Sequence, residues 1–415
     1  MTKFLFLNVG HFLTHLLMLL YPTVVLALQR EWQRPYAELI ALSLPGFIAY
    51  AAGALPAGWL ADRWSRKGVL TVFFIGIGAA AILTGFARTP IELAAGLGLI
   101  GLFASIYHPV GIAMVVEDRD KVGKALGING VWGNLGVALA ALVAGALSDW
   151  LGWRYAFVVP GALALAVGLC FVALVEVAPS RAPRAPGHTS RAPRAPMHAT
   201  RPVRVRATTD AARPVVPRSI FFIIAIGTLG SGLVFNASTV SMPKLFEDGI
   251  DLFQGSVATI GIVISAIMAV AAFAQIGVGV LIDRFPVKPI WLALLVVEVP
   301  LLVLVGLGAG AGLLVVAIPL MFVILGEAPI QDMLIARYAS EAWRSRVYAV
   351  KFVLAISTAA ATVPLIAGFH DATNSLLGLY ALLAGITLIC AGAAIFLPGR
   401  PRLRRVTAST TQPAE

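Results

Sequence analysis

The chain is poor in charge. Only 12% of its 415 residues are Asp, Glu, Lys or Arg, about half of the roughly 25% found in soluble globular domains. That scarcity excludes a soluble enzyme and an ordinary nucleic-acid-binding protein. Cysteine is nearly absent, with Cys170 and Cys390 alone and both in the middle of apolar runs. A disulfide framework is therefore not expected, and the two thiols read as inert packing groups. No GxxxxGK[ST] phosphate loop occurs, which removes ATP hydrolysis as an energy source. No Cys/His set has zinc spacing, so neither a metal site nor any other cofactor is expected. Nor is there a hydrophilic stretch long enough to hold a separate catalytic domain.

Apolar sequence fills the space. Hydrophobic residues make up 59% of the chain, and its mean hydropathy is +0.90. A helix needs about 20 mainly apolar residues to cross roughly 30 Å of hydrocarbon. Twelve such stretches are present, at 4–28, 37–60, 68–87, 90–116, 125–148, 154–177, 219–243, 255–282, 289–308, 311–335, 347–368 and 375–397. They are long and continuous, whereas barrel strands alternate over about ten residues. The expectation is an all-α integral membrane protein. The first span is read as a retained helix, because its apolar core exceeds the 7–15 residues of a signal-peptide core.

An even number of spans puts both termini on one side. The segments on that side hold 25 of the 31 Lys and Arg, against 5 on the other, with Lys351 inside the eleventh span. The positive-inside rule makes the terminal side cytoplasmic, and an inner cell membrane is expected. Residues 179–218 hold nine Arg, eight Pro and eight Ala, with SRAPRAP at 180–186 and again at 190–196. Such a composition cannot bury apolar surface, so this segment is expected to be a disordered cytoplasmic tether lying near anionic lipid. It carries +8 of the net charge of +11, which removes the reason to expect a nucleic-acid partner. The organisation expected is a six-helix bundle over 1–178, the linker over 179–218, a second bundle over 219–398 and a cytoplasmic tail over 399–415.

The flanking halves repeat one another. Pro22 corresponds to Pro243 and Gly58–Arg63 to Gly279–Arg284, each 221 residues on, and Pro109 corresponds to Pro329 at 220. A parallel repeat of six spans is an arrangement used by alternating-access carriers.

Gly58-Trp-Leu-Ala-Asp62-Arg63-Trp-Ser-Arg66-Lys67, between spans two and three, resembles the GxxxDRxxRK signature of the major facilitator superfamily. Gly279, Asp283 and Arg284 form the matching copy in the second half, and Trp153-Arg154-Tyr155-Ala156-Phe157 is similar to that superfamily as well. The resemblance implies two pseudo-symmetric six-helix bundles around a central site, and a cytoplasmic gate. In that gate Asp62 would face the start of span eleven near Ser345–Val347, and Asp283 the start of span five. A carboxylate at a helix N-terminus is worth about 0.3–1 kcal/mol when exposed and up to about 2 when partly buried. Gly58 would allow close helix approach, and Arg63, Arg66 and Lys67 belong to the same device. Within the superfamily, His11-Phe-Leu-Thr-His15 with Tyr21-Pro22, Ser105-Ile-Tyr107-His108-Pro109 and Met242-Pro243-Lys244-Leu245-Phe246 resemble the fosmidomycin-resistance-type branch. That likeness implies proton-driven export of small toxic molecules. Span five carries Gly127, Gly130, Gly133 and Gly136 without a Gly-Pro pair.

Ionisable groups at helix centres cost about 2.5–3.5 kcal/mol on insertion scales and need a reason. Asn8, His11 and His15 share one helical face, and histidine can carry a coupling proton near neutral pH. His108 stands before Pro109, which leaves a carbonyl of its helix without a donor; a brace for that kink and a solute contact are both open. Glu327 lies two residues before Pro329, near the positions equivalent to Tyr107 and His108. Burial penalises the charged form of a carboxyl group, which suits a proton carrier. Asn236 in span seven is a further solute candidate. Asp332 and Lys351 are placed to form an ion pair or to serve a gate. Glu298, mid-span in the ninth helix, has no evident role.

The leading expectation is proton-coupled efflux of a small organic solute, with His11, His15, His108, Asn236 and Glu327 on the pathway. Import or exchange of an anionic metabolite is the alternative, and a transporter-like receptor signalling through its arginine-rich loop is a third. The expected partners are a small molecule, protons and the lipid bilayer. A monomer is expected, since this arrangement needs no second subunit to form a pathway.

Overall fold

The computed structural model describes residues 2–117, 122–175, 218–339 and 341–398. The 179–218 linker, apart from Arg218, and the 399–415 tail lie outside the described residues. Those that are described contain twelve helices long and apolar enough to cross a membrane. They are α1 (Thr2–Trp32), α2 (Tyr36–Arg63), α3 (Arg66–Gly85), α4 (Pro90–Val116), α5 (Val122–Leu151) and α6 (Tyr155–Leu174) in the first half. The second half has α7 (Arg218–Gly249), α8 (Val257–Arg284), α9 (Val287–Leu307), α10 (Gly310–Tyr338), α11 (Glu341–Thr373) and α12 (Leu377–Ile395).

Short connections end these helices by local chemistry. Gln33 adopts a left-handed conformation (φ 51°) that closes α1. Ser65 caps α3 by accepting from the amide of Gly68, and Thr89 caps α4 by accepting from Glu92. Each cap occupies an amide that the first turn of a helix leaves without a partner.

Proline sets the internal breaks. Helix α1 is interrupted at Leu20, just before Pro22, and α4 passes through a π-helical turn over Tyr107–Gly111 around Pro109. Helix α10 is offset at Glu327, immediately before the segment that opens with Ala328 and Pro329. The repeat is not perfect: Pro243, the counterpart of Pro22, lies inside an uninterrupted α7. A proline removes one ladder bond and crowds the preceding turn, so these breaks re-aim the side chains beside them. Those side chains include Tyr107, His108 and Glu327.

Small residues bring the halves together. Gly145 of α5 and Gly261 of α8 each leave no room for a Cβ against the partner helix's backbone. In a membrane, where lipid is as apolar as leucine, such close backbone approach is a main source of helix association.

Candidate functional site

Among the described residues, two polar clusters are buried, one in each half. In the first, α1 supplies Asn8, His11 and His15, α4 supplies Tyr107 and His108, and α5 supplies Asn129. The Asn129 Nδ2 donates to Asn8 Oδ1 (3.0 Å) and to the Tyr107 hydroxyl (2.8 Å), while that hydroxyl donates to the Leu7 carbonyl (2.6 Å). His11 Nδ1 lies 2.8 Å from the Asn129 carbonyl oxygen. A carbonyl only accepts, so this ring nitrogen carries the proton. The Nε2 atoms of His11 and His15 are 3.2 Å apart.

The π-helical turn brings His108 into the same space. Its ring centroid is 5.2 Å from that of His11 and 5.5 Å from that of His15, and the other two are 5.0 Å apart. Tyr107 stacks on His11 at 4.9 Å with the rings 19° from parallel. Gly133 makes the room: a Cβ there would lie 2.6 Å from His11 Cε1. Gly136 likewise abuts the α1 backbone at Phe12, whereas a Cβ at Gly127 or Gly130 would meet nothing within 4 Å. Of the row Gly127, Gly130, Gly133 and Gly136, two thus serve the histidine cluster. His11 is 8% exposed, and His15 and His108 are half-buried.

The second cluster is centred on Glu327. Ser231 of α7 donates to its Oε2, and the carboxyl group of Glu298 from α9 interacts with it. Both glutamates are buried. Glu298, without an evident role in the sequence, therefore has a partner. Tyr107 and Glu327 are counterparts in the repeat at an offset of 220, and each bonds to the first helix of its own half.

The other candidates lie apart from these clusters. Asn236 donates to the Gly232 carbonyl (2.8 Å) and to Thr358 Oγ1 (3.1 Å), tying α7 to α11. Lys351 and Asp332 form an ion pair between α11 and α10. Asp62 is 74% exposed and pairs with Arg66 of its own loop at 3.7 Å. Arg63 stacks over Trp59, Arg66 and Lys3 meet Glu117, and Lys67 reaches the Val172 carbonyl, all within the first half. Gly58 abuts Pro109 of α4. Asp283 and Arg284 are exposed, and Gly279 is open to a Cβ. Of Ser345–Val347, toward which Asp62 is expected to turn, the side chains of 345 and 346 are outside the described set.

On the face opposite the termini the halves are joined. Arg30 of α1 pairs with Glu247 of α7 at 3.0 Å. Asp149 at the end of α5 accepts from the Ala258 amide (2.8 Å) and the Ser256 hydroxyl (3.0 Å) at the start of α8. Its counterpart 221 residues on is His370, whose ring lies 4.9 Å from that of Tyr36 at the start of α2. A polar vestibule of about 680 Å³ lies outside this closure, lined by Arg30, Lys244, Glu247 and Asp248 among others. At the start of α6, Arg154 pairs with Glu31 (2.9 Å), and buried Trp153 packs edge-on to Trp32.

Sequence reasoning did not pick out Asn129, Ser231 or Asp149. Asn129 had one available signal, an amide side chain within the glycine row of α5. Ser231 and Asp149 had none, since serine is common in membrane helices and a carboxylate at a span end reads as solvated.

A family model described as the Major Facilitator Superfamily matches residues 7–350. The chain is 26% identical over 286 residues to the 4-hydroxybenzoate transporter PcaK of Pseudomonas putida, covering 62% of this chain and 61% of that one. It is 30% identical over 159 residues to the gentisate transporter of Corynebacterium glutamicum, covering 37% and 35%. It is 31% identical over 121 residues to a puromycin resistance protein of Streptomyces alboniger, covering 28% and 24%. The matched segments therefore span less than two thirds of these relatives' own lengths. Among solved structures, an inward-facing, occupied bacterial homologue of the human lysosomal transporter Spinster superposes with a TM-score of 0.71. The identity is 17%, with 94% of this chain and 95% of that one covered; the likeness is one of fold.

Proposed function

This chain belongs to the major facilitator superfamily, and from that premise we propose that it moves a small organic anion across a membrane by alternating access, coupled to protons. The carrying observation is the convergence of His11, His15 and His108 beside the stacked Tyr107 ring. Imidazoles offer donors to a carboxylate and flat faces to an aromatic ring. Relatives named for 4-hydroxybenzoate and gentisate fit that chemistry.

The proton in this reading uses Glu327 and Glu298. Two carboxyl groups side by side, away from water, are compatible when at least one holds its proton and bridges to the other. Ser231 ties that pair to α7, so loading or releasing the proton would bear on a helix that also joins the halves through Glu247. With the terminal side cytoplasmic by the positive-inside rule, the closure at Arg30–Glu247 and Asp149–α8 gives a cytoplasm-facing state. The exposed Asp62 fits an opened cytoplasmic gate. Efflux is the second reading, favoured by the match to a puromycin resistance protein and by the separation of the glutamate pair from the histidine cluster, which would let solute and proton alternate.

The test is proton flux in liposomes containing the protein and an internal pH-sensitive dye. 4-Hydroxybenzoate and gentisate are added under a set pH gradient. The expected result is solute-dependent proton movement whose direction distinguishes uptake from efflux. Glu327→Gln should abolish it while leaving solute exchange. Solute crossing without proton movement, or normal coupling in Glu327→Gln, overturns the proton assignment. Failure of every aromatic acid to cross overturns the solute class. Deleting 179–218 should leave transport intact; loss of transport would favour a role for the linker beyond tethering.

A further inference from the structure

We propose that His11, His15 and His108 form a binding site for a divalent transition metal ion of the zinc or cobalt type. Each ring offers a nitrogen, and all three nitrogens lie within 4.8 Å of one another. Zinc bound by imidazoles has metal–nitrogen distances of about 2.0–2.1 Å, which places neighbouring ligands of a tetrahedron about 3.3 Å apart. The Nε2 atoms of His11 and His15 stand 3.2 Å apart. That edge of the tetrahedron is already built, and His108 closes the third corner through a modest ring movement.

The outer shell is also in place. A metal-binding histidine typically donates its second ring nitrogen to a carbonyl or carboxylate, which fixes the tautomer and aims the free lone pair. The bond from His11 Nδ1 to the Asn129 carbonyl does this, leaving Nε2 aimed at His15. The Asn129 side chain is itself held by Asn8 and Tyr107, so the orienting carbonyl rests on a rigid network. Glycine at 133 leaves the His11 ring its space. His15 now shares one proton with His11 across the 3.2 Å contact. When the ion enters, the proton moves to the Nδ1 of His15, both Nε2 lone pairs face the metal, and no proton need be lost from a neutral pair.

Three imidazoles leave the fourth position of a tetrahedron open. His15 and His108 are half-buried. On the reading that the solute is an organic anion, its carboxylate would take that fourth position, and the metal would give the site a selectivity for acids. Binding of the ion itself needs no solute.

The experiment uses the full chain, purified in detergent without a histidine tag and stripped with a chelator. Co²⁺ is added without any acid present and the visible absorption recorded, and Zn²⁺ binding is followed by calorimetry. One ion per chain with the intense absorption of tetrahedral cobalt is expected. His108→Gln should weaken binding by more than the roughly 10–100-fold typical of losing an outer-shell partner, and His15→Gln likewise, with unchanged size-exclusion profiles. Absent or octahedral cobalt absorption in the unmutated protein overturns the proposal, independently of any variant's folding. Binding that survives both substitutions also overturns it, and would point to His188 or His198 of the linker. If the ion binds and 4-hydroxybenzoate leaves its spectrum unchanged, the site stands and the carboxylate ligation fails. Failure of aromatic acids to cross liposomes would overturn the solute class and not the metal site.

Discussion

Substituting Asp149 by alanine should open the face opposite the termini. Its carboxylate, in the first half, accepts from the Ala258 amide (2.8 Å) and the Ser256 hydroxyl (3.0 Å) at the start of α8 in the second half. Ser256 already caps α8 through the Thr259 amide, so Asp149 supplies a second cap from across the interface. Removing a helix cap costs about 0.5–2 kcal/mol, typically near 1, and a carboxylate adds a favourable term with the helix dipole. Together these suggest a loss of about 1–2 kcal/mol in the closed state. The contact is made only when this face is closed, so the open state loses nothing. The open-to-closed ratio should rise roughly 5–30-fold. Arg30–Glu247 and the Gly145–Gly261 approach should remain.

Spin labels at Arg88→Cys, in the first half, and Leu252→Cys, in the second, can report the change. Both positions are exposed on this face, and Cys170 and Cys390 are replaced by serine in the background. Pulsed dipolar spectroscopy should show growth of a longer distance in Asp149→Ala. Asp149→Asn keeps an acceptor and loses the charge, so its shift should be smaller, about 0.3–1 kcal/mol. A population change below about twofold in Asp149→Ala, in protein that remains monodisperse, would refute the assignment of this contact as a latch, since even 0.5 kcal/mol exceeds that.

Two further substitutions test the histidine cluster. Tyr107→Phe removes a hydroxyl that donates to Leu7 and accepts from Asn129, leaving buried groups unpaired at about 1–3 kcal/mol; the thermal midpoint should fall by several degrees, and an unchanged midpoint counts against the network. Gly133→Ala places a methyl group against the His11 ring, whereas Gly130→Ala meets nothing. Transport and metal binding should fall in the first and not in the second, and equal behaviour of the pair would rule out the proposed role of the glycine.

Much of the architecture was legible because a membrane simplifies the problem. A spanning helix must satisfy its backbone internally and show lipid an apolar surface, so twelve apolar runs became twelve helices. Their ends were less legible. Hydropathy carries the sixth span to 177, but the helix stops at Leu174, and it ends the fifth at 148, where the helix continues to Leu151. Helix ends depend on capping and neighbouring loops, which hydropathy does not register. The prolines were visible as punctuation, yet Pro22 interrupts its helix and its counterpart Pro243 does not. A proline weakens a helix locally, and tertiary packing decides whether the helix breaks.

For the candidate site, His11 and His15 were legible as a pair because four residues place them on one helical face. The sequence by itself also determined the span count, the repeat, the charge asymmetry and the superfamily. Tertiary structure alone decided that His108, 93 residues beyond His15 in the chain, completes a triangle with them. It alone paired Glu298 with Glu327 and set Asp149 on the start of α8. The reason is that periodicity and spacing describe what a single helix presents. Which helix comes to lie opposite, and at what height, follows from packing between elements distant in the chain, and it was there that the chemistry of this protein was assembled.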